Sequence, residues 1–298
     1  MKTYFGVDLG GTNVRVAIIA EDGSIIEEIK RPSLSDQGPE VVLDNIIDMA
    51  QTLKGHESCL GMGIGIPGPV DTAQGCVSLS TNLKGFTGYP VVEYLSKHFN
   101  IPIYLDNDAN VAGLAEALVG AGAGNPIVYY VTHSTGIGGA LVVNGKTVSG
   151  RKGYAGEVGN IVIDRDRSDQ SDINSLNIGA VENEASGSAM VRKAQKLLEK
   201  DITSAKRIFQ LADEGNPIAL KLIDDMAYDF ASVLASIAHV VDPHVFVLGG
   251  GVTLARDYYW PKMIEYYQSL VHPQMRDVAF KEALLEEPGI IGAAMLCR

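Results

Sequence analysis

The chain has 298 residues, 46% hydrophobic and 20% charged, a balance that can bury one large core or two of ordinary size. Acidic residues outnumber basic ones 36 to 24 for a formal charge of -12, which argues against a cationic surface for nucleic acid or membrane. The three cysteines, Cys59, Cys76 and Cys297, lack metal or redox spacing and read as buried thiols of a reducing, cytoplasmic compartment; no leader and no membrane span is expected.

In chain order, strand-like runs at residues 4–7 and 14–19 flank the turn Asp8-Leu9-Gly10-Gly11-Thr12-Asn13, and a third run at 24–29 follows Glu21-Asp22-Gly23. Val42, Leu43, Ile46, Ile47, Ala50 and Leu53 repeat at helical spacing. A strand at 61–66 precedes a looser helical stripe of Val92, Leu95 and Phe99, and then a strand at 101–104. Residues 109–118 read as a helix with Asp108 near its N-cap. Gly120, Gly122, Gly124 and Pro126 mark a seam, so the expected division is 1–118 plus 284–298 as a small α/β domain and 119–283 as a large one. Strands at 127–131 and 139–143 flank a second glycine-rich turn, and Asn144-Gly145 is a strong hairpin signal. Residues 164–174 are expected to form a mobile loop, 186–241 to be almost wholly helical, and 245–248 to be a buried strand ending in Gly249-Gly250-Gly251. The expectation is an α/β fold with a helical insertion.

Two phosphate-binding patterns can be set aside. Gly63-Ile64-Gly65-Ile66-Pro67-Gly68 fits GxGxxG by letters, but Pro67 and the lack of a following helix deny it the dinucleotide-binding context. The stretch from Ala140 to Thr147 misses the P-loop at its first glycine, and its Asn144-Gly145 belongs to a hairpin. More informative are the two hairpins built alike. In each, an apolar run meets a turn of glycine and hydroxyl residues and returns, at Asp8 to Asn13 and at Ser134-Thr135-Gly136-Ile137-Gly138-Gly139. Such turns bring backbone N–H groups close to an anion, because glycine has no Cβ to hold the ligand away. The bland alternative is a pair of ordinary tight turns. Asp106-Asn107-Asp108-Ala109-Asn110 lies where a strand meets a helix; a carboxylate there can accept a proton from a hydroxyl, or it can simply cap the helix. The triple glycine suits close approach of adenine or ribose, or a loop packed on a helix.

The paired turns resemble the phosphate loops of the actin, hexokinase and heat-shock-chaperone ATPase superfamily. Over essentially its full length the chain resembles the ROK family of sugar kinases and repressors. The stretches that carry this are 8–13, 63–69, 107–110 with Glu116, 134–139, 156–159, 182–187, 242–251 and 292–296. The resemblance implies a two-domain actin/hexokinase-like (ribonuclease-H-like) α/β fold with an active-site cleft between domains. It implies Mg²⁺–ATP held between the glycine turns: Asp8 (through water to the metal), Gly10, Gly11, Thr12 and Asn13 on one side; Thr135, Gly136 and Gly138 on the other, with Gly249, Gly250 and Gly251 at the adenosine. Asp108 carries over as catalytic base, and Asn82, Asn107, Asp108, Glu157, Asn160 and Glu182 as sugar-binding residues. A homodimer is also implied.

One departure stands out. Many relatives place a histidine where this chain has Asn160, and with three cysteines it binds a structural zinc; the corresponding positions here hold Ile173, Ser175 and Ala180. No structural zinc is therefore expected. The reading is an ATP-dependent kinase acting on a hexose hydroxyl, O6 of glucose first, with N-acetylmannosamine, fructose, allose or a β-glucoside as alternatives. A sugar-responsive regulator would need a helix-turn-helix ahead of Asp8; a non-catalytic sugar-binding protein would not need Asp108 and both turns.

Overall fold

The computed structural model describes residues 1–167, 176–198 and 200–298, which fall into two compact units. The first comprises Met1–Tyr130, Ala140–Gly156 and Ala283–Arg298, the second Val131–Gly139 and Glu157–Glu282. Leu118 and the 120–126 turns thus lie inside the first unit, and the polypeptide passes to the second within a strand.

In the first unit, β1 (Thr3–Leu9), β2 (Asn13–Ala20) and β3 (Ile25–Pro32) form an antiparallel meander. β4 (Cys59–Ile66) lies parallel to β1, and the five-stranded sheet runs β3-β2-β1-β4-β7, with β7 at Ile103–Asn107. A small ribbon, β5 (Val70–Asp71) with β6 (Cys76–Val77), follows β4. Helices α1 (Pro39–Thr52) and α2 (Val91–Ser96) bury Val42, Leu43, Ile46, Val91 and Leu95 in one core with Phe5, Val7, Met62 and Ile64. The pattern read from the sequence is the buried face of α1.

Helix α3 (Asp108–Leu118) packs on α9 (Pro288–Met295), which also lies on β1 and β4. This explains a glycine that fits no dinucleotide motif. A Cβ on Gly63 would sit 1.7 Å from the carbonyl oxygen of Ala293, so β4 and α9 meet at backbone distance. The strand expected at 101–104 is displaced to Ile103–Asn107, because its pairing partner Met62–Ile66 sets the register.

β8 (Ile127–His133) and β9 (Ile137–Val143) flank the second glycine turn, and β10 (Lys146–Thr147) returns after Asn144 and Gly145, both at positive φ as a two-residue hairpin requires. The helical stretch expected from 186 to 241 is divided. After the short α4 (Val181–Ala185) come α5 (Gly187–Leu197), α6 (Ala205–Asp213) and α7 (Pro217–Val241). Asn216 caps α7 by accepting from the N–H groups of Ile218 and Ala219, Pro217 fits its first turn, and Asp242 ends it at φ 49. β11 (Val245–Gly249) is followed by α8 (Arg256–Leu270) and β12 (Ala279–Glu282). The second sheet runs β10-β9-β8-β11-β12. Among the described residues no helix is long and apolar enough to cross a membrane. The loop expected at 164–174 lies partly outside the described residues.

Candidate active site

The first glycine turn closes with a bond from Gly10 N–H to Asn13 C=O. Its next two carbonyls are pulled to one side: Ser33 and Ser35 hydroxyls donate to Gly11 C=O at 2.8 and 2.6 Å, and Ser33 N–H donates to Thr12 C=O at 2.9 Å. In a trans peptide the N–H points opposite its carbonyl. The N–H groups of Thr12 and Asn13 therefore face the other way, the arrangement an anion needs. Asn82 is exposed close to Gly11: a Cβ on that glycine would lie 3.7 Å from Asn82 C=O. Asp8 ends β1, and Arg15 donates to its Oδ2 twice, at 2.9 and 3.3 Å, while also pairing with Glu287 ahead of α9. Both bonds land on Oδ2, which leaves Oδ1 the capacity to hold a water of a hydrated divalent cation; a carboxylate fixed in this way fits Mg²⁺ bound through water.

The junction of β7 and α3 reassigns the cap. Asn107, not Asp108, is the N-cap residue: its Oδ1 accepts from Ala109 N–H at 2.8 Å and Asn110 N–H at 3.4 Å, while its Nδ2 donates to Gly68 C=O at 3.0 Å. Asp108 is the first helical residue and is solvent-accessible, its Oδ1 accepting from Ala109 N–H at 2.8 Å, with the Asn107 amide also beside the carboxylate. Its pKa is nevertheless raised, first by loss of solvation in crowded surroundings and then by the Asp8 carboxylate, with the Ala109 N–H opposing both. Behind it Asp106 is buried and takes four bonds, from Asn107 N–H, Asn110 Nδ2, Thr147 Oγ1 and Ser149 Oγ at 2.7 to 3.0 Å. Glu116 is likewise buried, accepting from the N–H groups of Ala121, Leu284 and Leu285. Both carboxylates hold the protein's own groups rather than ligand.

In the second unit the other glycine turn is organised the same way. Ser134 N–H bonds Gly136 C=O, and the first N–H groups of α5, from Gly187 and Ser188, take the carbonyls of Ser134 and Thr135 at 2.8 and 3.2 Å. The N–H groups of Thr135 and Gly136 therefore point away from α5. Ile137 N–H is spent on Glu182 Oε2 at 2.8 Å, so Glu182 braces the turn. Glu157 and Asn160 are exposed at either end of one short turn and joined by a 3.4 Å bond. Ala180 pairs with Val162 and has no donor side chain; Ile173 and Ser175 lie outside the described residues. Among the described residues no group of three His, Cys, Asp or Glu side chains could hold a metal ion.

A cavity of about 840 Å³ opens beside this turn, lined by Ser134, Thr135 and Gly251. Gly249 ends β11, and Gly250 turns the backbone at φ 92 beneath His133. The remaining wall comes from α5, α6, α8 and the turn just ahead of α8: Ser188, Val191, Phe209, Tyr258 and Leu254, with Lys206 among the polar groups. Sequence reasoning missed these residues, since a wall assembled from three helices has no local motif. The size and the apolar wall suit a nucleoside.

His133 closes β8 with no exposed surface, stacked on Phe230, with Nε2 donating to Ala185 C=O at 2.8 Å. Burial drives its pKa down to about 4. Above pH 6.5 it is neutral both folded and unfolded and adds no pH dependence. As pH falls from 6.5 toward 4 the unfolded state takes the proton and the folded state refuses it, so stability drops by about 1.4 kcal/mol per unit. His133→Gln should therefore flatten the acid limb of a melting-temperature profile over that window. Parallel profiles for the two proteins would refute it.

The ROK family profile matches residues 4–298. A glucokinase of Halalkalibacterium halodurans is 30% identical over 100% of this chain and 95% of its own length. Among solved structures, a ROK hexokinase from Thermus thermophilus has a TM-score of 0.87 at 30% identity, covering 98% of this chain and 97% of that one. A ROK glucokinase from Streptomyces griseus in complex with glucose and AMPPNP has a TM-score of 0.76 at 28% identity, covering 99% and 98%. The fold is accordingly the actin-like ATPase fold.

Proposed function

We propose that this chain, which belongs to the ROK family, transfers the γ-phosphoryl group of ATP to a hexose hydroxyl, O6 of glucose in the first instance, with Asp108 as general base. That it is an ATP-dependent carbohydrate kinase follows from the family match together with the relatives above; the base, the hydroxyl and the sugar are what the proposal adds. The observation that carries it is the division of labour at the start of α3. Asn107 does the capping, so the Asp108 carboxylate keeps an oxygen for a substrate hydroxyl, and its raised pKa moves it toward the operating range of a base.

In this reading the N–H edges at Thr12–Asn13 and Thr135–Gly136 bind phosphate oxygens, while Gly10, Gly11 and Gly138 let the backbone approach closely. The cavity beside Gly249, Gly250 and Gly251 takes the nucleoside. Asp8, held by Arg15, would hold Mg²⁺ through water, and the ion would neutralise charge on the transferring phosphate. Asn82, Asn107, Glu157, Asn160 and Glu182 hold the sugar hydroxyls. Phosphoryl transfer then depends mainly on positioning and charge stabilisation. The setting is cytoplasmic, where Cys59, Cys76 and Cys297 stay free thiols, and the assembly a homodimer.

The test is ADP release with Mg²⁺–ATP over a panel beginning with glucose and including N-acetylmannosamine, fructose, allose and a β-glucoside. No turnover on any sugar, from folded protein that binds ATP, would replace this reading with a sugar-responsive binding protein. The same proposal includes no structural zinc. A chelator should leave the melting temperature unchanged when Mg²⁺ and nucleotide are absent from both samples, whereas about one zinc per molecule by elemental analysis would contradict it.

A further inference from the structure

Arg167 lies outside every motif, yet its guanidinium gathers three carboxylates. It forks onto Asp229 of α7, with Nη1 to Oδ2 at 2.5 Å and Nη2 to Oδ1 at 2.7 Å, and Nη1 also donates to Glu184 of α4 at 2.9 Å. Its Nε donates to Asp164 at 3.3 Å. The side chains of Asp229 and Glu184 are only 2% and 1% exposed. From the other side α5 adds Lys193, whose Nζ donates to both Oε2 and the backbone carbonyl of Glu184 at 2.8 Å, and Arg192, which donates to Asn183 C=O. Buried charges of this kind contribute little net stability over an apolar replacement, but a planar fork fixes distance and angle where apolar packing lets a helix slide.

What the fork fixes is α4, a helix of five residues, too short to hold itself. Glu182 precedes the clamped pair Asn183–Glu184, and its carboxylate receives Ile137 N–H in the second glycine turn. The fit there is close: a Cβ on Gly136 would lie 2.6 Å from Glu182 Oε2, and one on Gly159 3.1 Å from the same atom. The turn, the Val158–Asn160 segment and α4 thus meet at one carboxylate, with the Arg167 cluster behind it.

We infer that Arg167 is a positioning residue: by clamping α4 to α7 it holds Glu182 against Ile137 N–H and keeps the second glycine turn in its phosphate-binding shape. This rests on the kinase reading above. Arg167→Lys keeps a cation but loses the fork, and it should lower kcat/KM for ATP about tenfold with the sugar saturating. The same substitution placed in a Glu182→Gln background should cost less than about twofold, because the carboxylate through which Arg167 acts is already gone. Equal losses in the two backgrounds, or no loss in either, overturn the inference. Should Arg167→Lys fail to fold, the pair Arg167→Gln with Asp229→Asn removes fork and buried charge together and enters the same cycle. A wild type that turns over no sugar overturns the kinase reading; a wild type that does, with equal losses in the cycle, overturns only the role of Arg167.

Discussion

Asp108→Asn should cut turnover by about 10²–10⁴-fold while sugar binding persists, since the amide keeps the shape of the carboxylate but cannot take a proton. The structure sharpens this expectation, because the competing role is filled. Asn107 satisfies the helix N–H groups of Ala109 and Asn110, so loss of the Asp108 charge leaves the cap in place. The variant should melt close to wild type. The pH profile offers a second check. A base works deprotonated, so activity falls as pH drops through its pKa, and the raised pKa of Asp108 puts that limb above the ordinary carboxylate value of 3.8. Near-normal turnover in the variant, measured at saturating ATP and sugar, would remove Asp108 as the base.

Much of this could be read from residue order because the informative features are local. A strand, a glycine turn and a returning strand are contiguous, so both hairpins and their Asn144-Gly145 and Asp22-Gly23 turns were visible as patterns. The stripe of α1 was visible because one face is buried and the other is wet. What escaped was assembled over distance or lacked period. Helix α9 is apolar nearly all round, with Ile290 to Met295 buried, so it offers no amphipathic contrast. Helix α8 carries Pro261 in its interior and only three buried residues, Tyr259, Met263 and Tyr267, which hides it as well. β12 is a four-residue edge strand visible only through its pairing with β11.

At the site the division is similar. The resemblance nominated Glu182 as a sugar ligand; in the structure its carboxylate braces Ile137, a contact between positions 45 residues apart that no motif spacing announces. Asp106 and Glu116 stood inside recognisable stretches, but their hydroxyl and backbone partners lie 43 and 169 residues away at the extremes, so their work could be known only from the fold. Arg167 had no signal at all beyond its charge.

Gly63→Ala should be among the most damaging single methyls that can be added to the first unit, costing more than about 4 kcal/mol. The new Cβ would stand 1.7 Å from Ala293 C=O and 2.7 Å from its carbonyl carbon, so the obstacle is backbone and no rotamer change relieves it. Either β4 bends away from β1 and β7, breaking two parallel ladders, or α9 lifts from the sheet and from α3. The second course also disturbs the approach to Asp8, because Gly289 at the start of α9 lies close enough that its own Cβ would be 3.5 Å from that carboxylate. Gly55→Ala is the matched control: its φ of +87 penalises a side chain, but no atom stands within 4 Å, so it should cost only about 1 kcal/mol. Urea unfolding of the two variants separates contact from conformation. Equal, small losses would mean that α9 does not seat on β4 at backbone distance. A large loss for Gly63→Ala alone would establish that Gly63 serves the packing of β4 on α9, beneath the first glycine turn, rather than a ligand of its own.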